Sequence, residues 1–574
     1  MDGSADAHDM SATETQNPGL AVADVIAPGL EAHSEESVPT FPAATHRLKS
    51  TPASSGELAV SIGRNTVFGM VAKVAQVGSR LVTIPIVIAH LGLGGYGIWS
   101  IIMTLAAYMR FGSFGIKSAF QKYVAEATGN GDFETANKRL STGTAGMLLL
   151  SVASIPIAVF AATMARAAGV PPEFLAAAAK SIATLALIMV LSNVGAAYEA
   201  ILSGAHRIDL VRNFSTFFTV AEAVAVVAVL HFGHGLFAMA MVMAASEVGF
   251  VACCYVNAKR IVPQVHVSRT FVTKTVIGEL LRFAGSYQLV NILEVLYLSI
   301  LPVTVLRAFG ANASGVYAIS TRVVTSALML WEAFLLPILS GGAMVHASGS
   351  KDEMRRLIHK SFKLTLGVCL FPLTFIAVFG TAIVFAWTGQ ADPSLRGALW
   401  LVCVAGFFSA FSSLGLVLYR ASGHALLDNI RQGLRIVVLL SIVAFARKLG
   451  FDGVLMGLAL AEFLGMVFML FAVSKTFHAF RASDLLSDAL RLTSATACVL
   501  VTGALATQIP LPSLPSARWS AVLELGKIAL ASLAAVWPAL RLTKSLTKAE
   551  GKAIKQILVP RRMRAEQHCL ESVS

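Results

Sequence analysis

Charge is what this sequence has least of. Only 13% of its 574 residues are Asp, Glu, Lys or Arg, against 56% hydrophobic, and mean hydropathy is +0.72. That much apolar surface excludes an ordinary soluble globular protein. The alternating pattern of a membrane β-barrel is missing too. The apolar runs are continuous, so helices are left as the way to satisfy backbone groups in lipid. Cysteine is sparse. Cys253, Cys254, Cys369, Cys403 and Cys498 lie in apolar segments, Cys569 lies beyond them, and none has metal-ligand spacing. Neither a disulfide framework nor a metal site is expected. His231 and His234 in HFGHG offer too few ligands to change that. No phosphate-binding glycine loop with its Lys, nucleophile elbow or zinc motif is present, so no enzyme, no cofactor and no ATP hydrolysis are expected. No cleavable signal peptide is read at the start.

What is present is a series of membrane-length apolar segments, each close to the roughly 20 residues a span needs. About fourteen are expected, at 65–90, 96–116, 142–165, 181–203, 212–230, 235–256, 283–306, 315–337, 361–388, 397–419, 432–449, 453–475, 491–509 and 519–540. Basic residues sort the connections into two classes. Counted with the adjoining ends of the spans, one class together with the tails holds 33 Lys and Arg and the other holds 7. By the positive-inside rule both termini are expected in the cytoplasm and the protein in the inner (plasma) membrane. The same rule accounts for the net charge of +13, so nucleic acid is not expected as a partner. The cytoplasmic connections after helices 2, 6, 8 and 12 read as short interfacial helices. Residues 1–57 carry nine acidic residues against Arg47 and Lys49 and cannot bury a core, so they read as a disordered cytoplasmic tail.

The spans repeat. Gly92 and Gly97 frame one turn, and Gly310 and Gly315 frame another 218 residues later; Gly131 and Gly349 share that offset. SGAHRIDLVR matches SGHALLDNIR one residue out of step, placing Asp209 and Arg212 on Asp428 and Arg431. The expected fold is all-α and polytopic. Two six-helix lobes, residues 58–270 and 271–480, would be related by a pseudo-two-fold axis around a central cavity, with two extra helices in 481–574.

Charges inside the spans point to what lines that cavity. Lys73, Gln76 and Arg80 share one helical face, Arg110 adds a cation to the second span, and Arg322 lies inside the eighth. A cation at the bilayer centre costs about 2.5–3.5 kcal/mol on insertion scales, so this face should not look at lipid. Arg offers phosphate a fork of donors and Lys a point charge. Lys73, Arg80, Arg110 and Arg322 are therefore the candidate substrate-binding residues. Pairing with Glu294 or Glu332 is the structural alternative. Tyr287, Asn291 and Glu294 form a polar face on helix 7, and Glu294 and Glu332 are candidate ion-coupling or counter-ion groups. Glu222, Glu247 and Glu462 also lie at membrane depth and are read as bonding neighbouring helices. Glu524 and Lys527, three apart, should neutralise each other.

The opening hairpin, NTVFG from Asn65 through PIVIAHLGLGGYGIW from Pro85, resembles the bacterial polysaccharide (oligosaccharide) flippases. These belong to the multidrug/oligosaccharidyl-lipid/polysaccharide exporter superfamily. SFGIKSAFQKYVAE from Ser113 and the following GNGD loop are similar to the family's pattern as well. The resemblance spans about residues 60–480 and implies a V-shaped, two-lobe exporter. Such a protein moves a polyprenyl-pyrophosphate-linked oligosaccharide from the cytoplasmic to the outer leaflet, for surface or exopolysaccharide synthesis. Its partners would be that lipid-linked sugar, membrane lipids, and a polysaccharide polymerase with other assembly proteins. A cation-coupled multidrug exporter and a peptidoglycan-precursor flippase of the same superfamily are the alternatives. A basic lumen argues against cationic drugs. A membrane-embedded sugar polymerase or ligase is a different class, and the short outer connections argue against it.

Overall fold

Apolar runs broken by glycine, with few polar loops between them, fold into long helices with sharp reversals. The computed structural model describes residues 55–109, 120, 123–124, 126–127, 130–163, 165–205, 207–421, 426–477, 482–510 and 516–545; the side chains of 55–74, 106–109, 274–292, 482–485 and of scattered positions between are outside that description. The helices are α1 (Ser55–Met109), α2 (Phe133–Thr163), α3 (Pro172–Gly204), α4 (Ile208–His231), α5 (Leu236–Ile261) and α6 (Lys274–Ser348). They continue with α7 (Lys351–Thr388), α8 (Ser394–Ala421), α9 (Leu426–Phe477), α10 (Ala482–Thr507) and α11 (Ala517–Leu542). Ten spans long and apolar enough to cross a membrane occur among the described residues. Part of the difference from about fourteen is that three expected hairpins are single helices broken in the middle. Each break is a glycine with extended ψ at positive φ: Gly92 (φ 71°, ψ 172°), Gly310 (φ 86°, ψ −178°) and Gly450 (φ 73°, ψ 175°). Only glycine reaches that region without strain.

The described glycines at positive φ pair up along the chain. Gly92 with Gly310, Gly131 with Gly349, Gly169 with Gly389, and Gly233 with Gly450 are separated by 218, 218, 220 and 217 residues. The breaks at Gly92 and Gly310 also bring α1 and α6 together reciprocally. A Cβ on Gly97 would stand 2.5 Å from the Gly315 nitrogen and 2.8 Å from the Ala311 carbonyl oxygen. A Cβ on Gly315 would stand 2.1 Å from the Leu93 carbonyl oxygen. Positions 93 and 311 are related by the same offset of 218 as 97 and 315, so the contact is reciprocal. Around this junction Ile98, Ile102, Val316, Ile319 and Trp331 belong to one continuous buried core.

Between α5 and α6 the chain departs from expectation. Residues 262–273 form no interfacial helix of their own beyond the single 3-10 turn Arg269–Phe271. The strand-like segment is pinned across α2 instead. Asn137 donates its amide to the Gln264 carbonyl at 3.0 Å and accepts from the His266 N–H at 2.9 Å. Ser141 Oγ accepts from the Ser268 N–H at 3.0 Å, and Thr142 Oγ1 accepts from the Thr273 N–H at 3.0 Å. Asn137, Ser141 and Thr142 lie on one helical face, so α2 supplies the partners an extended segment otherwise takes from a sheet. The connection between α6 and α7 is likewise no separate helix: Gly349 turns the chain in the left-handed region and Ser350 caps α7.

Candidate functional site

Two arginines from distant parts of the chain converge beside one tyrosine. Arg80 lies on the first leg of α1, Tyr96 just beyond its break, and Arg322 on the second leg of α6. Tyr96 is 4% exposed, and the Arg322 guanidinium lies near enough to its hydroxyl to interact with it. The Arg80 charge acts on both groups. The Gly97–Gly315 contact makes the convergence possible, because it lets the two helix legs approach at backbone distance. Among the described residues neither guanidinium has a carboxylate partner. Glu294 and Glu332 are both exposed and pair with neither of them. Neighbouring cations with no counter-ion among the described residues favour an anion, and forked donors suit one with several oxygens.

Lys73 lies on α1 with its side chain outside the described residues, and Arg110 lies outside them altogether, as do the side chains of Tyr287 and Asn291. Arg80 and Arg322 are thus the two of the four candidate cations whose surroundings the structure describes, and it brings them together.

A second ionic cluster is buried between α6, α8 and α9, and sequence reasoning did not assemble it. Tyr297 donates its hydroxyl to Glu462 Oε1 at 2.5 Å, and Arg435 Nη2 donates to the same oxygen. The Arg435 guanidinium stacks 3.7 Å from the Tyr297 ring centroid, and its Nη1 donates to Gln432 Oε1 at 2.9 Å. One turn earlier on α9, Arg431 donates to Asp428 Oδ1 through Nη2 at 2.8 Å and through Nε at 3.1 Å, and to Ser412 Oγ at 3.0 Å. Gly465, a turn beyond Glu462, leaves room for the Arg435 stem: a Cβ there would stand 3.1 Å from Arg435 Cδ. Two cations and two carboxylates balance, which is what buried charges require. Glu462 bonds neighbouring helices as its depth implied. Arg435 was missed, although Asp428, Arg431 and Arg435 recur at spacings of three and four on one helix face. Elsewhere Lys527 and Glu524 pair at 2.7 Å, as their spacing suggested.

No family model matches the sequence, and no curated protein matches it. Solved structures do. An inward-facing multidrug resistance MATE family transporter of the MOP superfamily aligns with TM-score 0.58 and 16% identity, over 73% of this chain and 98% of that one. The lipid II flippase MurJ in an inward closed conformation aligns with TM-score 0.60 and 14% identity, over 83% of this chain and 99% of that one. An outward-facing MATE family transporter aligns with TM-score 0.50 and 17% identity, over 72% and 96%. The chain is a polytopic helical membrane protein with the fold of these transporters.

Proposed function

We propose that this protein is a flippase that carries a polyprenyl-pyrophosphate-linked oligosaccharide from the cytoplasmic to the outer leaflet by alternating access. The observation that carries this reading is the meeting of Arg80 and Arg322, one from each repeat, beside Tyr96 with no carboxylate partner among the described residues. A pyrophosphate presents several oxygens to forked donors and needs its charge offset when it leaves water. The two repeats act as lobes: α1–α5 form one and α6–α9 the other. The reciprocal contacts at Gly97 and Gly315, and the paired glycine turns, support a pseudo-two-fold axis between them. Lys73 and Arg110 extend the same basic lining, and Glu294 and Glu332 are left as counter-ion or coupling groups. The fold shared with the lipid II flippase supports a lipid-linked headgroup as cargo. Cationic drugs, the cargo class of a multidrug exporter, would be repelled by an unbalanced pair of arginines.

The test is translocation in proteoliposomes of defined orientation, with a polyprenyl-pyrophosphate oligosaccharide as cargo. Arg80→Ala and Arg322→Ala should each slow it by about ten- to a hundredfold, the worth of a charge-assisted contact. Arg80→Lys, which keeps charge and loses the fork, should fall between. Ala variants that insert normally and translocate at the parent rate would overturn the proposal. Lipid II offered as competitor separates the two flippase readings, since a peptidoglycan-precursor flippase would prefer it.

A further inference from the structure

Pro85, on the first leg of α1, has no N–H, so the Leu81 carbonyl one turn back lacks its helical donor. A donor arrives from far along the chain. The indole Nε1–H of Trp387, in the last turn of α7, donates to that carbonyl at 2.8 Å. The turn that bears Trp387 is held in its own right by α11. Arg518 donates through Nη2 to the Trp387 carbonyl at 2.6 Å, and through Nε to the Ala386 carbonyl at 3.5 Å. These are carbonyls at a helix C-terminus, where intrahelical donors run out and a cation is favoured. Further along, His359 of α7 pairs with Asp488 of α10 at 3.2 Å, and Phe371 of α7 packs with Val499 and Ala539. The two helices outside the repeat are thus fastened to α7, and α7 is hydrogen-bonded to α1.

We propose that Trp387 is a reversible latch between the two lobes, that Arg518 positions it, and that this is a task of the C-terminal helices in transport. The inference rests on the reading that the lobes part during the cycle. The latch suits a moving junction because it is one hydrogen bond to a carbonyl left open by proline, so breaking it disturbs no helical ladder. While the lobes are joined, the indole supplies the donor that Pro85 withholds from this carbonyl, and the bond is held. Once the lobes part, water takes the place of the indole. Latch strength therefore sets the balance between the joined and parted states without touching cargo.

The test uses the full chain in lipid nanodiscs, with Cys253, Cys498 and Cys569 replaced by Ser and spin labels on Ala89→Cys and Ala391→Cys. Distance distributions report the ratio of parted to joined molecules. Trp387→Phe keeps the ring and removes the donor, and should raise that ratio about two- to tenfold, the net worth of one hydrogen bond. Arg518→Gln should move it the same way by less, and add nothing on top of Trp387→Phe, because it acts through that residue. Pro85→Ala returns an N–H to the helix, so in that background Trp387→Phe should be silent. Identical distributions for the parent and Trp387→Phe overturn the latch. A Trp387→Phe effect that survives Pro85→Ala overturns the role of the Leu81 carbonyl, and a fully additive Arg518→Gln overturns its positioning role. The measurement contains no cargo, so a wrong assignment of the lipid-linked sugar leaves its outcome unchanged and shows only in translocation.

Discussion

Arginine stands in two different surroundings in this protein, one neutralised and one with no carboxylate among the described residues. Arg435 is buried, stacked on Tyr297 and neutralised by Glu462. Arg80 and Arg322 face each other with no carboxylate among the described residues. A balanced pair holds helices, whereas under the proposed function the other pair takes up the anionic headgroup. At Arg435 the expected result is structural. Arg435→Met or Glu462→Leu alone leaves a buried charge without its partner and should cost about 3–5 kcal/mol, whereas both together should restore most of the loss. Thermal unfolding of the four proteins in detergent measures this. A double variant as unstable as the two singles combined would show that the pair is not one unit. Lys73, Arg80, Arg110 and Arg322 stood out in the sequence because a cation inside an apolar run is costly wherever it lies. Whether each finds a counter-ion depends on helices hundreds of residues away, and spacing along one helix does not carry that.

At the scale of elements, the two broken helices α1 and α6 meet through glycine. A methyl group on Gly315 would fall 2.1 Å from the Leu93 carbonyl oxygen, where backbone must move to admit it. Gly315→Ala should therefore wedge the junction apart at a cost of about 1–3 kcal/mol, the usual range for overpacking. A cross-link reads this out. A Cβ on Gly94 would stand 3.2 Å from the Ala311 Cβ, so Gly94→Cys with Ala311→Cys should oxidise to a disulfide after modest adjustment. In the Gly315→Ala background the yield should drop several-fold, and an undiminished yield would refute the wedge. The turns themselves were visible in the sequence, because LGLGGYGIW and FGANASGVY stand out between apolar runs. Their partnership was not. The segment 262–273 teaches the same lesson in reverse: its mixed polarity read as an interfacial helix, and Asn137, Ser141 and Thr142 on α2 hold it extended.

For the molecule as a whole, the proposed direction of transport carries an energetic consequence. A pyrophosphate headgroup bears at least about two negative charges, and a cell interior is negative. Each charge crossing 100 mV is worth about 2.3 kcal/mol, so an uncompensated outward flip gains about 5 kcal/mol per 100 mV. The basic lining then offsets the anion's loss of water while the potential drives its release. In proteoliposomes, an inside-negative potential should speed outward translocation and its collapse should slow it. A rate that ignores the potential and follows only a pH or sodium gradient would transfer the driving role to ion coupling, with Glu294 the first residue to test.

The sequence by itself determined that this chain lives in a membrane as helices, because 56% hydrophobic residues in continuous runs admit no other solution. It also determined where helices break, since positive φ demands glycine at Gly92 and Gly310. A period of 218 residues marked those positions as equivalent. Tertiary structure alone decided that Gly97 and Gly315 touch, that Arg435 is balanced while Arg80 and Arg322 have no carboxylate among the described residues, and that Trp387 answers the carbonyl left open by Pro85. The physical reason is range. Hydropathy and backbone torsion are properties of a few adjacent residues, whereas a counter-ion or a hydrogen-bond donor arriving from 306 positions away exists only once the chain has packed.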